Sequence, residues 1–432
     1  MLFRSLYVDS LRTFAANDLP DIAEAKLASD LAAAIESSLV MTDIVTGETL
    51  ALGTDYTYSF SVSGNRCTVT ITGLGAYAGA MVVRTFDIGR IAIRTSAFGY
   101  SMDISPTDGK LMATLTNFPV LVRLSEAIAG FRYRDCSPET LRFALPDGTM
   151  LAHEIDYWNA NGESTVWVNV PELASNTVFT AYWGIKAGHE ALNAAGGTWP
   201  EYVGVWHFSE ASGIAHDSSG NGYDSIDDGG GTLSNLNAKV GLARNANMTP
   251  MITSVTKLDS TSAVKPMTSM STFSVSGWMY SNVDVATASK KYPQQIRNKN
   301  GWDESTGWYT GIEGASDKFC GNGSGKTRTI ITLPASIYTN WVYITTIFSN
   351  TACIVYANGA FVTNTPINTV KASTTYPLRF ATDFDGIMDE YRIHDRLEDD
   401  AYIAADYATQ TDPDFLTFGE ITNSCGFMII VK

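Results

Sequence analysis

Residues 115–184 read LTNFPVLVRLSEAIAGFRYRDCSPETLRFALPDGTMLAHEIDYWNANGESTVWVNVPELASNTVFTAYWG. Apolar and polar residues alternate through Phe118 to Leu124, and Ser164 to Val170 puts Val166, Val168 and Val170 on one face. A strand turns successive side chains to opposite faces, so this pattern predicts half-buried β-strands with one face in a core and the other in water. Pro146-Asp-Gly148, Asn161-Gly162 and Pro171 punctuate the runs as turns or stops.

These residues resemble an all-β module of uncharacterised function found in bacterial and archaeal surface proteins. The marks are NFPVLVRL from Asn117, LRF from Leu141, DGT from Asp147 followed by HEIDYWN, and the ESTVWVNVPEL run from Glu163. The resemblance implies an order, because that module precedes a concanavalin-A-like (laminin-G-like) jelly roll. It is specific for architecture and says little about activity.

Working outward, the chain has 432 residues, long enough for two to four domains. Hydrophobic residues make up 45% and charged residues only 17%, and Gly 36 with Tyr 20 favours strands and turns over helix bundles. The net charge is −16 and no basic run exceeds the Lys290-Lys291 pair, so a nucleic-acid partner is not expected. Cys67, Cys136, Cys320, Cys353 and Cys425 stand singly, without zinc spacing, and Cys67 and Cys353 fall in strand patterns as core residues. No stretch approaches the roughly 18 apolar residues of a membrane span. MLFRSLYVDSL lacks the apolar core of a secretory signal, so the expected extracellular or cell-surface location rests on the resemblance.

Residues 1–89 read as a first domain. Leu27, Leu31, Ile35 and Leu39 recur every fourth position, predicting a helix with Asp18 as its cap and Pro20 in its first turn. Tyr56 to Val62 and Cys67 to Ile71 alternate around Ser63-Gly64-Asn65 as a hairpin. Gly53-Thr-Asp-Tyr56, Thr68 to Gly73, Gly75-Ala-Tyr-Ala-Gly79 and Thr85-Phe-Asp-Ile88 resemble a bacterial immunoglobulin-like repeat, which implies a β-domain used as a spacer. Residues 90–190 are the second module, and the Gly/Ala-rich stretch 191–200 reads as an accessible linker.

The third domain spans 201–421. GVWHF from Gly204, DSSGNG from Asp217, FSVSGW from Phe273, YANG from Tyr356 and DGIMDEYRI from Asp385 resemble the laminin-G-like, concanavalin-A-like family. Asn358-Gly359 predicts a tight hairpin turn, and a short helix carrying Tyr402, Ile403 and Tyr407 follows the closing strand. Residues 422–432 are a tail or one extra strand. The fold class is all-β: several β-sandwiches ending in a jelly roll.

Four constellations bear on chemistry. Cys320-Gly-Asn-Gly-Ser-Gly-Lys-Thr327 approximates a phosphate loop, but its first glycine is Cys320 and a strand pattern follows, so a hairpin loop is the better reading. Asp383, Asp385 and Asp389 share parity, yet Ile387 interrupts them. Asp389 and Glu390 are adjacent and should point to opposite faces, which rules them out as an acid pair. His207 reads as a satisfied residue of the sandwich wall. Trp302, with Asp303 beside it, and Trp308 lie in a polar Gly-rich stretch and are the candidates for stacking on a glycan, while Trp308 also fits the start of a core strand.

The jelly-roll resemblance further implies one Ca²⁺. Asp217, Asn221 and Asp389 are its candidate ligands, provided the first and last strands of the sandwich are neighbours; the alternative is that Asp217 and Asn221 bond their own turn and Asp389 a buried amide. The reading is a non-catalytic extracellular or cell-surface protein for binding or adhesion, with a glycan or a surface protein as partner. A self-assembling fibre, filament or surface-layer subunit with homo-oligomeric neighbours is the alternative, and a glycan-active hydrolase ranks below both.

Overall fold

A computed structural model of the chain describes residues 12–63, 65–189, 192–193, 197–210, 213–225, 232–234, 238–247, 251–252, 270, 272–284, 294–299, 305–312, 318–325, 328–334, 336–368, 370–371, 373 and 378–424. The protein is all-β, with several antiparallel sheets and more than one core.

The N-terminal unit comprises β1 (Phe14–Ala16), α1 (Ala28–Ser38), β2 (Met41–Asp43), β3 (Tyr56–Ser63), β4 (Arg66–Gly73) and β5 (Met81–Asp87). The predicted hairpin pairs Tyr56 with Gly73 through Ser63 with Arg66, and β5 adds to its other side. Cys67, Val69 and Ile71 point inward, and α1 packs there with Leu31 and Ile35. The small β1-β2 sheet joins the same core through Phe14, Ala16 and Met41. The helix starts later than predicted. Leu27 is its N-cap, and Asp30 rather than Asp18 satisfies the exposed amides, accepting from Lys26 and Leu27.

The second unit holds β6 (Phe98–Pro106), β7 (Leu115–Leu124), β8 (Arg142–Ala144), β9 (Met150–Leu151), β10 (His153–Tyr157), β11 (Ser164–Leu173) and β12 (Phe179–Ile185). One sheet runs β10-β11-β7, with Val166 opposite Val122 and Val168 opposite Val120. Phe118, Val120, Val122, Val166, Val168 and Val170 form its inner face, as alternation predicts. The outer face is not in water: every residue from Ser164 to Val170 is buried.

The third unit begins with β13 (Tyr202–Trp206), β14 (Thr232–Ser234), β15 (Ala243–Asn247), β16 (Met251–Ile252), β17 (Thr272–Ser281) and β18 (Gln294–Arg297). It continues with β19 (Tyr309–Ile312), β20 (Lys318–Asn322), β21 (Arg328–Thr332), β22 (Val342–Ser349), β23 (Ala352–Ala357), β24 (Ala360–Pro366), β25 (Arg379–Thr382) and β26 (Asp385–His394). Two sheets, β14-β15-β26-β17-β22-β23-β24 with β13 also on β26, and β16-β25-β18-β19-β20-β21, enclose a core that includes Trp206, Phe273, Trp308 and Phe380. The first and last strands are neighbours, with Val205 opposite Arg392. Asn358 and Gly359 both take positive φ in the turn from β23 to β24, the conformation this turn requires.

After β26 the chain forms α2 (Asp400–Thr411), capped by Asp399 accepting from the Tyr402 amide. It then returns to the second unit. β27 (Leu416–Asn423) pairs with β6, Leu416 opposite Pro106, and completes the sheet β27-β6-β12-β8-β9. Residues 416–421, assigned by sequence to the third domain, are thus an edge strand of the second unit's sheet. Helix α2 bridges both: Tyr402 and Ala405 enter the second unit's core, while Ile403 packs on Ile347 and Tyr356.

Candidate functional site

The site grows from one irregularity in β26. Met388, Tyr391 and Ile393 enter the sandwich core, whereas Asp389, Glu390, Arg392 and His394 are buried outside it. Strict alternation would split Asp389 from Glu390. Here the ladder slips: Ser276 faces Arg392 and Trp278 faces Asp389, so the single residue Gly277 opposes both Glu390 and Tyr391. Glu390 takes φ 53, a left-handed conformation uncommon for a non-glycine residue, and the strand bulges. The expectation that these two acids point to opposite faces is therefore corrected: the bulge turns both away from the core. Gly277 is required opposite them, because a Cβ there would lie 2.5 Å from the Tyr391 ring.

Both acids face the outer side of the β10-β11-β7 sheet. Leu121, Trp167, Trp199, Tyr202, Val205 and Val240 form a separate apolar cluster between the two units. A buried ionic chain runs beside it. His207 Nδ1 lies 2.8 Å from Glu390 Oε1, Arg392 donates to Glu390 and to Asp406, and the Tyr343 hydroxyl donates to Asp406. The Arg392 guanidinium stacks over Trp167 at 4.2 Å and Trp199 at 4.8 Å. Trp199 donates its indole N–H to Glu154, and Ser218 donates to the other oxygen of the same carboxylate.

Electrostatics divides the acids. Burial works to raise Glu390, but His207 and Arg392 outweigh it and hold the carboxylate below its ordinary range. Glu154 behaves alike: burial opposes, and His207, Ser218 and Trp199 prevail. His207 is raised well above its usual value because Glu390 and Glu154 overcome its desolvation. Burial pushes the Asp156 carboxyl up to about 6, and burial with the neighbouring Glu390 charge drives Asp389 well above the carboxylate range. Asp156 accepts from Thr165, and Asp389 Oδ2 accepts from the Lys239 and Val240 amides. The second oxygen of each is buried without a hydrogen-bond partner among the described residues. Asp156, His207 and Glu390 each bring one potential metal-ligating atom within 4.8 Å of the others.

The predicted site residues fare differently. Trp302 and Asp303 lie outside the described residues. Trp308 is fully buried between Phe273 and Phe348 in the sandwich core, so it offers no ring face to a glycan. Asp217 accepts from the Val205, Ser219 and Tyr223 amides, and Asn221 donates to the Tyr202 and Val203 carbonyls, so the turn clamps β13. Asp389 accepts instead from the Lys239 and Val240 amides. Asp217, Asn221 and Asp389 are thus all engaged with backbone groups, the alternative weighed from the sequence.

The glycine-rich loop after Asn322 joins the antiparallel pair β20 and β21, a hairpin as predicted. Its Gly323 and Gly325 carbonyls, with Asn322, accept from the buried ammonium of Lys299, so this loop presents carbonyls to a cation rather than amides to a phosphate. Lys326 and Thr327 lie outside the described residues. Cys67, Cys136, Cys320 and Cys353 are buried and form no disulfide among the described residues. Sequence reasoning missed Asp156 and Glu154, and read His207 as a wall residue, because their partners come from another unit. The one visible signal was Trp167, a large aromatic on the supposedly wet face of β11.

No family model and no curated protein matches this chain. Solved structures similar to it include the botulinum neurotoxin serotype D binding domain, at 12% identity and a TM-score of 0.36 over 49% of this chain and 51% of that one. Another is the binding domain of Paraclostridial Mosquitocidal Protein 1, at 15% identity and a TM-score of 0.38 over 48% and 52%. A third is domain 4 of AbnA, an extracellular arabinanase from Geobacillus stearothermophilus, in complex with arabinotriose, at 16% identity and a TM-score of 0.34 over 48% and 98%. The match thus spans about half the length of the toxin domains. These likenesses extend to β-rich architecture and no further.

Proposed function

We propose that this chain is a non-catalytic binding or adhesion protein of the cell surface or extracellular space, which recognises a glycan or a surface protein through a jelly-roll domain in its third unit. The observation that carries the reading is the placement of its acid-rich strand. Glycoside hydrolysis needs two carboxyls facing a substrate in an accessible cleft. Asp389 and Glu390, the acids closest to such a pair, are fully buried against the second unit. Glu390 is paired with His207 and Arg392 and Asp389 accepts from backbone amides, so they act as mortar between sheets. The remaining surface is then left to recognition. No described helix is long and apolar enough to cross a membrane.

A glycan array probed with the full chain tests this, paired with a reducing-sugar assay on every glycan bound. Binding without sugar release is the expected result. Release of reducing sugar that Asp389→Asn abolishes would contradict it.

Self-assembly is a second reading, favoured by the N-terminal unit. Its three-stranded sheet leaves β3 and β5 without a further strand among the described residues, and Met81 and Val83 on β5 are exposed at 65% and 46%. Open edges with apolar flanks are templates for pairing with another copy. Sedimentation velocity over a hundredfold concentration range separates the two: a constant monomer removes this reading.

A further inference from the structure

The joint between the second and third units gathers more carboxyl groups than cations. Glu154, Asp156, Asp389, Glu390 and Asp406 meet there, and the cations facing them are His207 and Arg392, with Lys239 at its margin over Trp278. Burying carboxylates without compensation is costly, and each must find a counter-charge or take up a proton. Arg392 is committed to Glu390 and Asp406. Asp156 Oδ1 and Asp389 Oδ1 have no hydrogen-bond partner among the described residues, and His207 Nε2 has only the Glu154 carboxylate at 3.5 Å. Asp389 is fully buried, and the His207 side chain is only 6% exposed.

We propose that Asp156, His207 and Glu390 form a binding site for a divalent transition-metal ion of the zinc class, at the seam between the second and third units. The donor set carries the choice of metal. One imidazole and two carboxylates match the nitrogen and oxygen ligands of zinc, whereas calcium takes oxygen alone. The three donor atoms already lie within 4.8 Å of one another, and tetrahedral zinc with bonds of about 2.0–2.2 Å brings neighbouring ligands to about 3.3 Å, so modest side-chain movement closes the site. Each ligand is anchored in a different element. Asp156 is held by Thr165 in the β10–β11 ladder, His207 follows β13, and Glu390 sits on the bulge of β26. An ion there would balance the ionised carboxylates and tie β10, the residue after β13 and β26 together across both units.

Metal content and affinity test the site. Full-length protein is dialysed against chelator and then titrated calorimetrically with ZnCl2, MnCl2 and CaCl2, and its melting temperature is followed with each metal. The expected result is about one zinc bound per chain, tighter than calcium by at least tenfold, with a rise in melting temperature by mass action. Asp156→Asn and His207→Gln, each verified as folded by circular dichroism, should lose at least tenfold in zinc affinity, while His216→Ala, at an exposed histidine, should leave it unchanged. Failure of the folded wild-type chain to bind zinc at millimolar concentration would overturn the proposal. So would binding of calcium alone, or zinc affinity that survives both variants and falls with His216→Ala.

Discussion

Two three-stranded antiparallel sheets in this molecule carry the same alternating pattern and end in opposite circumstances. In β3-β4-β5 the inner residues Cys67, Val69 and Ile71 are buried, and the outer face of Thr57, Ser59, Ser61, Met81, Val83 and Thr85 is exposed. In β10-β11-β7 the inner valines are equally buried, but the outer face of Leu121, Thr165 and Trp167 is buried too, beneath the third unit. Alternation reports which side of a strand meets its own sheet's core. It does not report whether the other side meets water or a second domain. The outer-face residues themselves carry that information: serine and threonine in one sheet, a tryptophan and a leucine in the other.

The largest difference between the two outer faces should appear when the ionic chain is cut. Arg392→Ala leaves Glu390 and Asp406 buried without their shared cation, and breaking such a pair costs about 3–5 kcal/mol. Val83→Ala on the outer face of β5 should change stability by less than about 0.5 kcal/mol. Equilibrium unfolding in urea, followed by tryptophan fluorescence, measures both. Similar small losses in the two variants would erase the distinction.

A smaller effect sharpens the geometry of the joint. Gly277→Ala inserts a Cβ against the Tyr391 ring and should cost about 1–3 kcal/mol, because the ring fills the space opposite the bulge. Were the strand regular at Glu390, alanine would be tolerated at that position. The same unfolding assay decides.

The smallest expected effect belongs to the N-terminal unit and depends on pH. The Tyr77 hydroxyl donates to Asp43, and with the Thr46 and Val45 amides it lowers that carboxyl to about 2. A carboxylate lowered by folding contributes stability present above its ordinary value near 4, and lost as pH falls through about 2. Tyr77→Phe should therefore lower the melting temperature on the neutral plateau and leave it nearly unchanged near pH 2, so that the acid limb between about pH 4 and 2 is flatter. An unaltered acid limb would show that the bond does not tune Asp43.

Much of the fold is legible in the residues. The hairpin at 56–71, the Asn358-Gly359 turn and the closing strand all follow from period and turn chemistry. The C-terminal end of the stretch read as a linker is anchored for a physical reason. Gly/Ala content at 191–200 suggests slack, but Trp199 is buried against Trp167 and bonded to Glu154 from another strand. The acid pair was hidden for a different reason. A left-handed glutamate leaves no composition signal, and only Gly277, on the partner strand, hints that the register slips there. Helix α1 was visible from its fourfold period, yet its start was misplaced because Asp30 reaches back to cap it from inside. The joint as a whole needed distant partners: Asp156, His207 and Glu390 are far apart in sequence, and nothing local to any of them names the others.

The central claim is that the outer face of β11 is sealed by the third unit, and cysteine accessibility tests it most directly. In a Cys425→Ser background, Thr165→Cys places a thiol on that face and Ser59→Cys places one on the exposed face of β3. The four remaining native cysteines are buried and serve as the slow baseline. Under native conditions Ser59→Cys should react with a chromogenic disulfide reagent at the rate of a free thiol. Thr165→Cys should react at least a hundredfold more slowly, at a pace set by opening of the joint. Equal rates at the two positions would contradict the account.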